Sequence, residues 1–92
     1  MVTAFILLNV QRGRITPAAQ AMLAIDGVTE VHSVSGDYDL VAVVRVRRND
    51  DLAELVTDRL AAVEGLLKSH TLIAFRQYSE YDLARMFELG DE

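Results

Sequence analysis

The chain has 92 residues, 51% of them hydrophobic, with nine Lys and Arg against fourteen Asp and Glu and not one cysteine. A formal charge of −5, with a single lysine and scattered arginines, argues against direct binding of nucleic acid, and without cysteine there are no disulfides, thiolate metal sites or cysteine nucleophiles. No apolar stretch reaches the roughly 18 residues of a membrane span, and the start MVTAFILLNV lacks the basic segment of a signal peptide, so one cytoplasmic domain spanning 1–92 is expected.

Val2 to Val10 is apolar except for Thr3 and Asn9, and reads as a strand buried on both faces. The polar QRGR follows, with Arg12 and Arg14 around Gly13, and reads as a solvated connection. Thr16-Pro17 resembles a helix start, threonine as N-cap and proline at the first helical position. Ala18, Met22 and Ile25 make the apolar stripe of this helix, widened by Ala19 and Leu23, and Asp26-Gly27 closes it.

Val28 to Ser35 and Tyr38 to Arg47 read as two strands joined at Gly36-Asp37 by a two-residue type II′ turn. The second of them carries Leu40, Ala42, Val44 and Val46 on one face and Val41 and Val43 on the other, so both faces are expected to be covered. Asn49, Asp50 and Asp51 supply an N-cap and favourable charge for a second helix, whose stripe is Leu52, Leu55, Val56, Leu60 and Val63 and whose end is Gly65. Leu66 to Phe75 reads as a fourth strand. Ser79 caps a short third helix, about 80–89, with Leu83, Met86 and Phe87 at helical spacing.

The order βαββαβ with right-handed crossovers implies a ferredoxin-like α+β fold: a four-stranded antiparallel sheet with two helices on one face, core 2–78, plus the short C-terminal helix. Helices on one face leave the other uncovered. The expected cover is a second copy, in a dimeric α/β sandwich or barrel formed by sheet packing.

Catalytic and metal constellations are weak. His70 and Thr71 are neighbours on one strand and point to opposite faces, a poor arrangement for a nucleophile and its base. His32 and His70 could form a two-histidine, one-carboxylate set with Asp37 or Asp39, but at no established ligand spacing. No phosphate-cradling glycine loop occurs. Neither catalytic nor metal-binding residues are expected, and no cofactor. What stands out is GDYD, Gly36 to Asp39. A turn accounts for Gly36-Asp37 and does not require Asp39, whose carboxylate would be costly if buried without a partner. Turn and ligand loop are both open on these grounds.

The stretch GVTEVHSVSGDYDLVAVV, with GLLKSHTLIA later, resembles the effector-binding domain of the Lrp/AsnC family of feast/famine transcription regulators. That family has a valine-rich strand, a G-x-Y-D turn, an apolar strand, then a glycine after the second helix and a T-x-T-like strand, here with Ser69 in place of the first threonine and Thr71 as the second. The resemblance covers Val2 to about Tyr78. The chain is similar to stand-alone members without the helix-turn-helix domain.

The resemblance implies a dimer, often assembled further to an octamer, and an effector, usually an amino acid, held between subunits. Gly36, Asp37, Tyr38 and Asp39 would take the effector's charged groups, and Ser69 and Thr71 would add hydroxyl contacts from an adjacent subunit. The expected function is a non-enzymatic regulatory module acting through its assembly or through association with a full-length Lrp/AsnC-type regulator, with no direct contact to nucleic acid or membrane. The alternatives are a small dimeric ferredoxin-like enzyme, of the cofactor-free monooxygenase or haem-degrading type, and an ACT-like amino-acid-binding module. The first generally needs a well-placed His, Asn or Trp, and this chain has no Trp and only Asn9 and Asn49.

Overall fold

Apolar alternation writes the sheet. In β1 (Val2–Val10), Ala4, Ile6, Leu8 and Val10 are buried on one face, whereas Thr3, Leu7 and Asn9 are half-buried and Phe5 is exposed on the other. In β3 (Leu40–Val46), Leu40, Ala42 and Val44 are buried on that same side, and Val43 is buried on the other face as well. A computed structural model describes residues 1–80; the third helix expected from 80 to 89 falls, apart from Glu80, outside the described residues. The order is β1, α1 (Ile15–Leu23), β2 (Val28–Ser33), β3, α2 (Asn49–Glu54, continued by a π turn Leu55–Arg59 and a 3-10 turn Leu60–Ala62) and β4 (Leu66–Ile73). The sheet runs β2-β3-β1-β4, with every neighbouring pair antiparallel. This is the expected ferredoxin-like α+β arrangement, with an open sheet.

One core holds the layers together. Ile6, Leu8, Leu40 and Val44 of the sheet meet Met22 of α1 and Leu60 of the second helical segment, all fully buried. Each such side chain contributes about 1.5–3 kcal/mol relative to exposure.

The helix ends differ from expectation. α1 begins at Ile15, and Thr16 and Pro17 lie inside its first turn; Arg14 occupies the cap position without a side-chain cap bond. Proline is tolerated there because first-turn N–H groups have no intrahelical acceptor. The helix stops at Leu23, and three further residues lead to Gly27. Gly27 is required twice over: its φ is +98°, and a Cβ there would sit 2.8 Å from Val46 Cγ1 and 3.1 Å from Leu55 Cδ1. Leu23 of the proposed stripe is 53% exposed, because it lies about 100° around the helix from the fully buried Met22.

Asn49 is the first residue of α2 rather than its cap, and Arg48 precedes it, paired with Asp51 at 3.4 Å. The π turn has a local cause. Thr57 Oγ1 donates to the Ala53 carbonyl, competing with the helical ladder, and Leu55 and Leu60, both buried, are five residues apart. An i→i+5 turn puts that spacing on one face.

The strands are also shorter than expected. β2 stops at Ser33 and β3 starts at Leu40, and β4 ends at Ile73. The two-residue turn at Gly36-Asp37 is replaced by a wider loop closed by the Val34 N–H donating to the Asp39 carbonyl at 3.0 Å. On the face away from the helices, the register aligns His32, Val41, Leu7 and His70 in one row across the sheet. Glu30, Val43, Phe5 and Leu72 form the next row. The centre of this open face is therefore apolar, with Glu30 and His32 at one edge and His70 beside Leu72 at the other.

Candidate ligand-binding site

The loop after β2 is tied to β1 by one asparagine and one aspartate. The Asp39 N–H donates to the Leu8 carbonyl at 2.8 Å, and the Asp39 Oδ2 accepts the Val10 N–H at 3.0 Å. The carboxylate thus supplies the next rung of the β1–β3 ladder after backbone pairing ends at Leu8 and Leu40. Asn9 Nδ2 lies 3.5 Å from the same oxygen and donates to the Asp37 carbonyl at 2.9 Å. The intrachain partner that a half-buried Asp39 needs is this pair of donors, and no arginine is involved. The pull toward β1 is also why a tight two-residue turn does not form.

What this leaves unpaired defines the site. Among the described residues, no acceptor meets the N–H groups of Gly36, Asp37 or Tyr38, and Asp39 Oδ1 and the exposed Asp37 carboxylate have no partner. Gly36 has φ +112° and open space where a Cβ would stand. Its glycine therefore serves the turn and leaves the loop backbone accessible. The loop offers neutral N–H donors and two carboxylates within four consecutive residues.

Ser69 and Thr71 are not part of that cluster within one chain. They pair with Leu8 and Ile6 across β1, so two strand spacings, about 10 Å, separate β4 from β3. They also stand on the helix side of the sheet, whereas Asn9 and Asp39 belong to the open side. Thr71 lines a cleft of about 580 Å³ between α2 and β4, with Leu52, Val56 and Ile73. Asn9 is the residue that sequence reasoning passed over. A lone amide in an otherwise apolar strand was the available signal, and only the register shows what it holds. Among the described residues, no group of three or more His, Asp or Glu could hold a metal ion, and no helix is long and apolar enough to cross a membrane.

A βαββαβ sheet with a backbone-anchored polar loop after its second strand describes a small ferredoxin-like ligand-binding domain. The family model of the Lrp/AsnC ligand binding domain matches residues 3–83, and the chain belongs to that family. It is 29% identical over 79 residues to the HTH-type transcriptional regulator FL11 of Pyrococcus furiosus, covering 86% of this chain and 52% of that protein. The chain thus spans about half the length of that curated relative. TTHA0845 from Thermus thermophilus superposes with a TM-score of 0.81 at 39% identity, over 87% of this chain and 100% of that one. The fold is also that of the feast or famine regulatory protein Rv3291c from M. tuberculosis, solved with L-methionine (TM-score 0.71, 22% identity, 87% of this chain and 54% of that one). At the level of the family, the curated relatives are named as HTH-type transcriptional regulators rather than enzymes.

Proposed function

We propose that this domain binds a free amino acid at the loop 35–39 and passes the binding on through subunit assembly. The observation that carries the reading is the set of unpaired loop N–H groups beside an anchored carboxylate. Backbone N–H groups suit the ligand's carboxylate, and Asp39 Oδ1 with the Asp37 carboxylate suits its ammonium. Anchoring matters because Asp39 is held before the ligand arrives, so little ordering cost falls on binding. The methionine complex of the distant M. tuberculosis relative supports the ligand class.

Ser69 and Thr71 join the site only from a neighbouring copy, since in one chain they lie across β1 and on the opposite face. A ligand touching two copies stabilises their contact. The apolar centre of the open sheet face supports pairing of copies through that face into a dimer. Such a module acts either by changing its own assembly or by joining a full-length regulator. A solved chain that is matched over its whole length by 87% of this one supports a domain that folds by itself.

The test is a thermal-shift panel of the twenty amino acids on wild type, Asp37→Asn and Ser69→Ala. Asp37→Asn is preferable to a change at Asp39 because its side chain makes no intrachain bond among the described residues. A ligand at about ten times its Kd adds ~1.4 kcal/mol, or roughly 5–10 °C for a domain of this size. One or a few amino acids are expected to give this shift, reduced in both variants. No shift with any amino acid would sink the reading.

A further inference from the structure

The two helices do not cover the sheet evenly. α1 rests on β2 and β3, and α2 rests on β3. The edge strand β4 is mostly exposed, and Ile73 on its helix side is 54% exposed. Between α2 and β4 lies the groove of about 580 Å³, walled by Leu52, Ala53 and Val56 on one side and by Thr71 and Ile73 on the other. No ionisable side chain borders it. The groove is on the helix side of the sheet, so pairing of copies through the open face leaves it uncovered.

The chain itself carries a cover. Residues 81–92 lie outside the described ones. Their sequence sets Leu83, Met86 and Phe87 at the i, i+3, i+4 spacing of an apolar stripe, with Asp82, Arg85 and Glu88 between. Met86 and Phe87 also lie beyond residue 83, where the family match ends. The tether is short: Ile73, a wall of the groove, is the last residue of β4, and residues 74–80 span at most about 25 Å. At a helical rise Leu83 to Phe87 extend about 6 Å, against about 10 Å for Asn49 to Val56 along the groove. A tethered segment meets the groove at an effective concentration on the order of millimolar, so three apolar side chains suffice where a free peptide of that size would not.

We infer that residues 81–92 seat in this groove through Leu83, Met86 and Phe87, and thereby cover Thr71. The stripe and the groove wall both leave water in the process. The consequence for function rests on the amino-acid reading above. There Thr71 has to reach a ligand on a neighbouring copy, and a seated segment stands in its way. Assembly around a ligand therefore competes with the seat, and the segment raises the ligand concentration at which assembly begins.

The chain has no cysteine, so an introduced pair reports the seat in the full chain. Ala53→Cys with Met86→Cys puts one thiol in the groove wall and one in the stripe. Glu54→Cys with Met86→Cys is the control, because Glu54 borders a different cleft, with Asp26 and Gly27. With oxidised glutathione the groove pair is expected to form an intrachain disulfide, at monomer mass on a non-reducing gel, about tenfold faster than the control pair. No bond, equal rates, or a bond only between chains would each overturn the seat, the last by giving the groove to a second copy. Phe87→Asp leaves the groove intact. It is expected to lower the Tm of the ligand-free chain and to lower the amino-acid concentration at half-saturation several-fold. An intrachain disulfide with unchanged half-saturation would overturn the segment's control of Thr71. If no amino acid binds any of these chains, the loop reading fails and the disulfide alone decides the seat.

Discussion

Truncation of Asp39 to alanine removes the carboxylate that completes the β1–β3 ladder. Its Oδ2 accepts the Val10 N–H at 3.0 Å, and Val10 is only 5% exposed, so water does not readily replace the lost acceptor. A hydrogen bond to a charged acceptor contributes about 1.5–3 kcal/mol. The Asn9 contact, at 3.5 Å, is at the limit of hydrogen bonding and adds little. The expected loss is therefore about 2 kcal/mol for Asp39→Ala and roughly half that for Asp39→Asn, which keeps a neutral acceptor. In urea unfolding followed by circular dichroism, at matched protein concentration, the Asp39→Ala midpoint should fall by roughly 1 M for a slope of about 1–3 kcal/mol/M. The corresponding drop in Tm is roughly 8–16 °C. An Asp39→Ala stability within about 0.5 kcal/mol of wild type, the size of an ordinary surface substitution, would refute the idea that this side chain serves as a rung of the sheet. A large loss also means that ligand binding abolished by Asp39→Ala cannot by itself locate a ligand.

The remaining predictions concern the two glycines of unlike surroundings and the open sheet face. Gly27→Ala and Gly36→Ala both meet a positive φ, costing about 1–3 kcal/mol, but only at Gly27 does the new Cβ also collide with Val46 and Leu55. Gly27→Ala is therefore expected to be the more destabilising by at least about 1 kcal/mol in thermal unfolding; equal losses would contradict the packing argument. Phe5→Glu and Leu72→Lys, adjacent in one cross-strand row on the open face, are each expected to shift the light-scattering mass toward the monomer with the circular dichroism spectrum unchanged. An unchanged oligomer in both would show that copies do not meet through this face.

Much of the architecture was legible because it rests on periodicity. Alternation at Ala4, Ile6 and Leu8 and at Leu40, Ala42 and Val44 marks the buried side of two strands, and these residues are in the core. Of the stripe Leu52, Leu55, Val56, Leu60 and Val63, the first four lie on the helical segment 49–62, and Val63, though buried in the core, is the extended residue after its last turn. The stripe's five-residue step also carried the cue to the π turn, which a search for helical spacing overlooks. Ends were less legible, since Thr16 and Asn49 have the chemistry of caps yet lie inside their helices. Where a helix starts depends on how the preceding connection leaves the sheet, and capping preference of about 1 kcal/mol is easily overridden by that packing.

The candidate site divides in the same way. That Gly36 to Asp39 is a polar loop between two apolar strands follows from the residues themselves: glycine permits the positive φ and the flanking β-branched residues demand strands. That Asp39 completes a ladder, that Asn9 holds Asp37, and that Ser69 and Thr71 face away from the loop depend on strand register, which joins residues about thirty positions apart. Local sequence carries the period of a strand and its buried side. Only the assembled sheet decides which strand lies beside which, and hence which polar atoms are satisfied within the chain and which remain free for a ligand.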